Sequence, residues 1–311
     1  MNMQNTIRWF FIAALLVNIF LQPGTGNPAK QTPSQDEYIY LPAIYKPGST
    51  RPGPTPTPTS SPSPPPSGTP SPTPQPVDHF STLPPGSTLP SDAVCAALVR
   101  AAPENKGMNT QYNATVGSHR LAADFFAPGS GDPRGNTEIM SRVSGNFTGT
   151  TDEILQWVAC KWGVDEDLVR AQTAIESWWH QNAKGDWGTD PQRCPPGHGL
   201  GADGQPGQCP ESWGLLQNRY PYEQSAWPGM ADSSAFNADT AYGIWRACFE
   251  GYEWWLNTVD RGQQYAAGDA WGCVGRWFSG RWHTSAAEGY IDRVQGYLNS
   301  RIWETPNFQE P

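Results

Sequence analysis

The central helix of this chain is predicted by residues 168–179, which read Leu168-Val169-Arg170-Ala171-Gln172-Thr173-Ala174-Ile175-Glu176-Ser177-Trp178-Trp179. Its apolar residues recur every three or four positions, which is the period of an α-helix with one buried face. Glu176 interrupts this pattern at the end of the helix. It follows Ile175 directly and shares a helix face with Val169 and Thr173.

A carboxylate among apolar neighbours is poorly solvated, and poor solvation keeps its proton bound at higher pH. A carboxyl group that is still protonated near neutral pH can serve as a general acid. The sequence therefore makes Glu176 a candidate catalytic residue. The alternative is an ordinary exposed glutamate near a helix end, and the helix alone does not choose between the two.

The composition of the chain excludes several classes of partner. From residue 150 onward there are 21 acidic and 11 basic residues, and 14 of the 15 tryptophans lie between Trp157 and Trp303. Nucleic acid is not expected as a partner, because phosphate binding requires clustered lysine and arginine. The chain has no phosphate-binding loop and no Gly-x-Ser-x-Gly sequence, so nucleotide binding and serine-hydrolase chemistry have no support.

The N-terminal part reads as an export signal followed by a spacer. Residues 1–26 contain Arg8 and then thirteen mostly apolar residues, which are too few for a membrane span of about twenty and are typical of a secretory signal peptide. An uncleaved N-terminal anchor is the alternative. Residues 27–88 form a low-complexity linker rich in Pro, Thr and Ser, with twelve prolines in Arg51–Pro76, and we expect it to be disordered.

The six cysteines fit a secreted or cell-surface protein, because an even number in an exported chain suggests disulfides. Fifteen pairings of six cysteines exist, and sequence does not choose among them. Cys194 and Cys209 would close a loop rich in Gly and Pro. The other expected pairs are Cys248 with Cys273 and Cys95 with Cys160.

The folded part is predicted to be mainly α-helical. Residues 89–149 are polar and rich in Gly, and we expect an irregular extension wrapped on a main domain of residues 150–305. Thr150 and Glu153 have the spacing of a capping box, which predicts a helix that ends at Gly163. Residues 180–210 are predicted to be a long loop, and helices are predicted around residues 241–255 and 285–302.

Three short motifs in this domain resemble those of one enzyme superfamily. Glu176-Ser177 ends the central helix, Gly214-Leu215-Leu216-Gln217 follows the loop, and Trp277-Phe278-Ser279-Gly280 precedes the last helix. The pattern is similar to the lytic transglycosylases and goose-type lysozymes, with Leu216 at the position of their Met. The resemblance covers about residues 150–302 and implies a lysozyme-like α+β fold that is mainly α-helical.

The resemblance also implies an activity. It implies cleavage of the β-1,4 bond between N-acetylmuramic acid and N-acetylglucosamine in peptidoglycan, with Glu176 as the catalytic acid. In a lytic transglycosylase the same glutamate then acts as base toward the 6-hydroxyl of the sugar. In a hydrolase, water attacks, and a second carboxylate usually positions that water. Chitin, another β-1,4 N-acetylglucosamine polymer, is an alternative substrate.

The identity of a second carboxylate is the open question. Goose-type lysozymes carry an Asp in a Gly-Trp-Gly-Asp segment, and this chain has Asp186 and Asp190 in the similar Gly185–Asp190 segment. The alternative is that both are turn residues, as Asp beside Gly usually is. Arg219 occupies the position where those lysozymes place another Asp. This favours the transglycosylase route, with Glu176 as both acid and base.

Several residues near these motifs are expected to bind the glycan. Aromatic faces offer a large contact area for sugar rings without needing charge, and this suits an acidic domain. By resemblance and position, the expected substrate-binding residues are Ser177, Asp186, Trp187, Trp213, Gln217, Trp277 and Phe278. Other tryptophans beside the motifs or in loops are further candidates for sugar stacking, namely Trp178, Trp179 and Trp282.

A second reading of the same features belongs to a different functional class. A disulfide-linked, Trp-rich module could bind cell-wall glycan without cutting it. Neither reading requires a cofactor, and the five histidines share no spacing that suggests a metal site. We expect a monomer that binds peptidoglycan or a related glycan.

Overall fold

A computed structural model describes residues 78–117 and 119–309. The predicted signal peptide and the proline-rich segment Arg51–Pro76 lie outside these residues. Within them the chain is mainly helical with one small antiparallel sheet, as the α+β prediction requires. No helix in residues 78–117 or 119–309 is long and apolar enough to cross a membrane. The helices are α1 (Asp92–Leu98), α2 (Thr110–Asn113), α3 (Thr151–Trp162), α4 (Glu166–Ser177), α5 (Gly229–Asp232), α6 (Ser234–Phe249), α7 (Ala270–Ser279) and α8 (Ser285–Ser300).

Helix α3 begins and ends where its sequence predicts. The Thr150 side chain accepts from the backbone N–H of Glu153, and the Glu153 side chain accepts from the N–H of Thr150, which completes the capping box. Gly163 ends the helix in the left-handed conformation, with φ of 57°. A Cβ at residue 163 would lie 2.9 Å from the Leu83 side chain, so the site requires glycine for space as well as for conformation.

The helices enclose one core that is rich in aromatic residues. Helix α4 packs against α3 and α8, while α6 packs against α3 and α7, and α7 packs against α8. Trp157 and Trp162 of α3 are fully buried in this core, in agreement with the apolar stripe of that helix. Helix α6 is buried along its whole length, so it is the element around which the others pack.

The boundaries of three later elements differ from the predictions. Helix α6 ends at Phe249, so Tyr252 and Trp255 lie beyond it. Residues 270–279, for which no helix is predicted, form α7, whose N-cap Asp269 accepts from the N–H of Gly272. Helix α8 is capped by Thr284 and ends at Ser300, two residues before the predicted end.

The predicted loop 180–210 contains a strand, so that prediction was wrong in part. Strand β1 (Lys184–Gly188) pairs with β2 (Cys209–Trp213), which pairs with the two-residue β3 (Asn218–Arg219), and both pairings are antiparallel. The sequence of β1 is Lys-Gly-Asp-Trp-Gly, which has no alternation of apolar and polar residues. The strand exists because β2 supplies its hydrogen-bonding partners.

All three disulfides connect the predicted pairs of cysteines. They join Cys95 to Cys160, Cys194 to Cys209 and Cys248 to Cys273. The first attaches α1 to α3, the second holds the loop before β2, and the third links α6 to α7. Three disulfides fit an extracellular protein, because such bonds persist in oxidising environments.

Residues 78–88, which are predicted to belong to the disordered linker, lie on the folded domain. Phe80 is buried. Its backbone N–H donates to the Glu166 side chain, and its carbonyl accepts from the Glu166 N–H. The buried guanidinium of Arg246 donates to the carbonyls of Leu83 and Pro84. These residues therefore belong to the folded domain, because their carbonyls are needed to solvate a buried charge.

The extension of residues 89–149 is attached to the domain through buried charge. Lys161 and Asp239 are fully buried and form an ion pair of 2.8 Å. Asp239 also accepts from the backbone N–H groups of Ser144 and Gly145, and Lys161 reaches Asp92 at 2.9 Å. The extension thus supplies partners that two buried charges of the main domain require.

Candidate active site

Glu176 lies in the last turn of α4 and is half-buried. Asp165 caps the start of this helix, and the left-handed Trp178 ends it immediately after Ser177. Trp179 is also left-handed, with φ of 62°. Two consecutive non-glycine residues in this region are costly, and such conformations persist where the surrounding structure fixes them.

The tertiary structure fixes this turn through buried contacts. The Trp179 indole N–H donates to the Arg170 carbonyl at 3.0 Å, and the Asn109 amide donates to the Trp179 carbonyl at 2.6 Å. The ring of Phe308, near the C-terminus, packs against both Trp178 and Trp179. Trp179 is only 1 % exposed, so the expectation that it stacks on a sugar is wrong.

One hydrogen-bond partner of Glu176 comes from α8. The hydroxyl of Tyr290, in α8, donates a hydrogen bond to Oε1 of Glu176. Burial raises the pKa of Tyr290 well above its usual value, and the Glu176 charge raises the pKa further. Tyr290 therefore stays protonated and acts as a permanent donor to the carboxyl group.

Sequence reasoning missed Tyr290, although it occupies the apolar stripe of α8 directly before Ile291. A buried tyrosine usually has a hydrogen-bond partner for its hydroxyl, and this was the signal that could have identified it. A search for that partner would have considered the carboxylates of the domain, Glu176 among them.

A second buried tyrosine packs against the same helix. The Tyr242 hydroxyl, from α6, donates to Oε1 of Gln172 at 3.0 Å. Gln172 stands one helical turn before Glu176. Burial raises the pKa of Tyr242 well above its usual value, with a further contribution from the Glu176 charge.

Ser177 connects the helix end to the Gly214–Gln217 turn. Its hydroxyl donates to the Leu215 carbonyl at 2.7 Å, and the serine is buried. The expectation that Ser177 binds substrate is therefore corrected to a role in positioning this turn. The two motifs that the sequence separates by 36 intervening residues are in direct contact.

Two buried amides hold the same turn from behind. Asn237 accepts from the N–H of Leu216 at 2.9 Å and donates to the Trp213 carbonyl at 2.8 Å. Gln181 accepts from the N–H of Leu215 at 3.1 Å. Gly214 has a φ of 80°, and a Cβ there would overlap the Asn237 amide, so only glycine fits.

Gln217 is also turned inward. Its backbone is left-handed, with φ of 54°, and its amide nitrogen donates to the carbonyls of Gly214 and Ala183 at 3.0 and 3.3 Å. The side chain lies over Gly185 of β1 and is 5 % exposed. These contacts make Gln217 a link between the turn and β1, in place of the predicted contact with substrate.

The third motif packs on the other side of the site. The Trp277 indole N–H donates to the Leu216 carbonyl at 3.2 Å, and this side chain is partly exposed. Phe278 is buried and its ring stacks on Tyr290, with centroids 4.9 Å apart and planes 4° apart. Phe278 therefore positions Tyr290 and is not a sugar contact, whereas Trp277 remains available on the surface of the site. Phe278 and Tyr290 together bring α7 and α8 to Glu176.

The Asp186 carboxylate belongs to a cluster of ion pairs on the sheet. Its carboxylate is 4 % exposed, accepts from the Ser212 hydroxyl and lies 3.6 Å from Arg219. Arg219 and Arg193 both pair with Glu211, at 2.7 and 2.6 Å. Arg219, which stands where a lysozyme Asp was expected, thus neutralises carboxylates of the sheet. The expectation that Asp186 binds substrate is corrected to a structural role.

Asp190 has the position of a turn residue. It caps a short helical turn at 191–193, its side chain accepts from the N–H of Gln192 at 2.9 Å, and it is exposed. This is the usual role of Asp at a turn. Its assignment as a second catalytic carboxylate stays a prediction.

The tryptophans near the motifs divide into buried and accessible groups. Trp213 is 5 % exposed, its indole N–H donates to the Pro210 carbonyl, and its ring contacts Trp227. Trp282 is fully buried. These two belong to the core, so their predicted stacking on sugars is wrong. Trp187, Trp178 and Trp277 retain partial exposure.

One group of side chains has metal-ligand chemistry. Donor atoms of His79, Glu166 and Asp167 lie within 4.8 Å of one another. Glu166, however, pairs with Arg100 at 2.5 Å and with Arg170 at 2.8 Å. Guanidinium groups already supply the positive charge that a metal would bring, so the set fits an ion-pair network better than a metal centre.

Comparison of the chain with protein-family models, with curated proteins and with solved structures gives no match.

Proposed function

We propose that this protein is an exported glycosidase that cleaves the β-1,4 bond between N-acetylmuramic acid and N-acetylglucosamine in peptidoglycan. The observation that carries the proposal is the hydrogen bond from Tyr290 to Oε1 of Glu176. A half-buried carboxyl group with one oxygen engaged by a permanent donor has a fixed orientation. Orientation of this kind is what a general acid needs.

The arrangement of elements supports the same proposal. Helix α4 ends at the glutamate, a small antiparallel sheet follows, and α7 and α8 return to the helix end. This is the order expected for a lysozyme-like domain. The contacts of Ser177 with Leu215 and of Trp277 with Leu216 join all three motifs around Glu176.

The chemistry requires a single glutamate. Glu176 donates its proton to the glycosidic oxygen while the bond from this oxygen to C1 breaks and positive charge develops at C1. The Glu176 carboxylate then accepts the proton of the C6 hydroxyl, and the C6 oxygen bonds to C1. The product is a 1,6-anhydro sugar, the glutamate returns to its protonated state, and no water is consumed.

The carboxylates of the sheet favour this route over hydrolysis. Asp186 and Glu211 are 4 % exposed and face arginines. A carboxylate that is already paired is a poor base toward water, because the cation stabilises its ionised form. The lytic transglycosylase reaction needs no such partner, so we prefer it to the hydrolase reaction.

The decisive variant is Glu176→Gln, which keeps the shape of the side chain and removes its acid function. We expect this variant to fold and to bind purified peptidoglycan, but to lose the ability to clear a peptidoglycan suspension. Glu138→Gln, at an exposed glutamate outside the candidate site, is the matched control and should clear the suspension at the parent's rate. Clearing by the Glu176 variant would overturn the catalytic assignment.

Binding without clearing by the parent protein itself would favour the non-catalytic glycan-binding module. The same assay on chitin tests the alternative substrate. Mass spectrometry of the soluble products then distinguishes the two reactions. Products lighter by one water are expected from the transglycosylase route, and reducing ends would indicate hydrolysis.

A further inference from the structure

Arg293, in α8, is an exposed cation beside the candidate site. It follows Tyr290 by three residues, so the two side chains lie on the same face of the helix. Its guanidinium lies over the ring of Phe278 at 5.3 Å and over the ring of Tyr290 at 5.6 Å, both measured to the ring centroid. The hydroxyl of the same Tyr290 donates to Glu176. The guanidinium and the candidate acid therefore contact one side chain, the first at its ring and the second at its hydroxyl.

The two rings orient the guanidinium without using its donors. Phe278 and Tyr290 are buried and stack with centroids 4.9 Å and planes 4° apart, which makes them a rigid support. A cation is attracted to the face of an aromatic ring. The N–H groups of a guanidinium lie in its own plane, so a ring contact leaves them free to donate to an acceptor.

The absence of a carboxylate partner distinguishes Arg293. Within residues 78–117 and 119–309 its side chain forms no ion pair and no hydrogen bond. From residue 150 onward acidic residues outnumber basic residues by 21 to 11, so partners within the protein are abundant. Other arginines of this domain pair with aspartate or glutamate, among them Arg170, Arg193, Arg219, Arg246 and Arg276. An oriented arginine without such a partner, next to the site, can receive an anionic group of a ligand.

We propose that Arg293 binds a carboxylate of the substrate and so selects peptidoglycan over chitin. This proposal rests on the proposed function, since it concerns the glycan bound at Glu176. The muramic acid of peptidoglycan carries a lactyl group, or a peptide attached to it, that ends in carboxylates. These substituents occur on every second sugar, so one lies within a disaccharide of each bond that is cleaved.

The chemistry of the guanidinium fits this ligand. A guanidinium binds a carboxylate through two parallel N–H···O bonds, which fix the orientation of the bound group as well as balancing its charge. Chitin carries only neutral acetamide and hydroxyl groups, so it gains no charge pairing from Arg293. The residue thereby distinguishes two polymers that share the same β-1,4 linkage.

The test uses Glu176→Gln protein, which is expected to bind peptidoglycan without cutting it. Its dissociation constant is measured by co-sedimentation with purified peptidoglycan, and with the same material after its carboxyl groups are converted to neutral amides. Adding Arg293→Gln should weaken binding to untreated peptidoglycan by about fivefold, because an exposed ion pair contributes up to about 1 kcal/mol. The two proteins should bind the amidated material equally. Adding Arg293→Lys, which keeps the charge and loses the fork, should weaken binding less than Arg293→Gln does.

The matched control is Arg134→Gln in the same background. Arg134 is exposed, lies over the Tyr252 ring at 4.7 Å and pairs with Asp132. Its substitution makes the same change in net charge and removes the same kind of ring contact outside the candidate site. We expect it to leave the dissociation constant for untreated peptidoglycan unchanged. A fivefold loss in this control as well would show an effect of net charge and would overturn the proposal.

Two further results would overturn the proposal. One is an unchanged affinity of the Arg293→Gln protein for untreated peptidoglycan. The other is an equally large loss of affinity on the amidated material, which would show that Arg293 acts without a substrate carboxylate. Clearing of a peptidoglycan suspension by the parent reports separately on cleavage. If the parent never clears but binding still depends on Arg293 and on the carboxylates, the proposed cleavage fails and the carboxylate site stands.

Discussion

The Tyr290 hydroxyl donates a hydrogen bond to the Glu176 carboxyl group across a sequence separation of 114 residues. Tyr290 is buried, and its ring stacks on Phe278 of the preceding helix. The contact therefore joins α4, α7 and α8 at a single half-buried carboxyl group. It gives Glu176 a fixed orientation through a residue outside its own helix.

Tyr290→Phe should lower the clearing rate by roughly tenfold, because a hydrogen bond to a charged group contributes about 1.5–3 kcal/mol. The ring and its stacking on Phe278 are retained, so the fold should persist. The rate of turbidity loss of a peptidoglycan suspension measures the effect. Tyr297→Phe, at a half-buried tyrosine two turns later in α8, is the control, and its clearing rate should equal that of the parent. Equal rates for all three proteins would mean that the bond does not assist the reaction.

His283 should make stability depend on pH. Its Nε2 lies 2.8 Å from Asp269, the N-cap of α7, and its Nδ1 lies 2.5 Å from Glu288 in the first turn of α8. Both ring nitrogens can donate only in the protonated form. Burial lowers the pKa of His283, but the two carboxylates outweigh this and raise the pKa above its usual 6.5.

A raised pKa in the folded state means that the folded protein binds the proton more tightly than the unfolded chain does. The stabilisation is complete below about pH 6.5 and is lost as pH rises through the higher folded pKa. Thermal unfolding followed by circular dichroism should show a falling midpoint over that window. His283→Gln should flatten the dependence, while His198→Gln should keep it. A parent curve that rises through this window would contradict the prediction.

Asp239→Asn should destabilise the protein by about 3 kcal/mol, because it leaves the fully buried Lys161 with weaker compensation. The remaining partner, Asp92, is only partly buried and lies at 2.9 Å. Denaturant unfolding gives the free energy. Asp132→Asn disrupts the pair of Asp132 with the exposed Arg134 and should cost less than about 1 kcal/mol. Similar losses of stability for the two variants would show that burial does not increase the contribution of the Lys161–Asp239 pair.

Replacing Cys194 and Cys209 together by Ser should lower stability by about 3 kcal/mol, the value for a closed loop of about 15 residues. The disulfide attaches the loop to the first residue of β2, and β2 is the partner of β1. We therefore expect proteolytic cleavage to concentrate within residues 195–208 of the double variant. Chemical unfolding and mapping of the first cleavage sites measure both effects. A variant that is as stable and as resistant as the parent would show that the loop is held by its other contacts.

Much of the helical structure was predictable because its signals are local. The capping box of Thr150 with Glu153 and the left-handed Gly163 lie within a few residues of the turns they control. The position of Glu176 at the end of α4 follows from the apolar period of one segment. The disulfide Cys194–Cys209 closes a short loop, and it was predictable because the two cysteines are close in sequence.

The elements that were missed depend on distant partners. Strand β1 has no apolar alternation and is formed by its pairing with β2. The segment from Phe80 to Pro84 resembles the linker in composition, but Arg246 requires its carbonyls. Local composition does not reveal such requirements, because the residue that imposes them lies more than 160 positions away.

The sequence by itself determined the bounds of α3, the central helix α4 and the candidate glutamate at its end. The tertiary structure alone decided the surroundings of that glutamate. In the folded protein Tyr290 contacts Glu176, and Arg219 forms an ion pair with Glu211 of the sheet. Trp179 is buried and is therefore not accessible to a sugar ring. The physical reason is that helix signals arise from interactions within one or two turns, whereas hydrogen-bond partners of a buried carboxyl group are set by which helices pack against it.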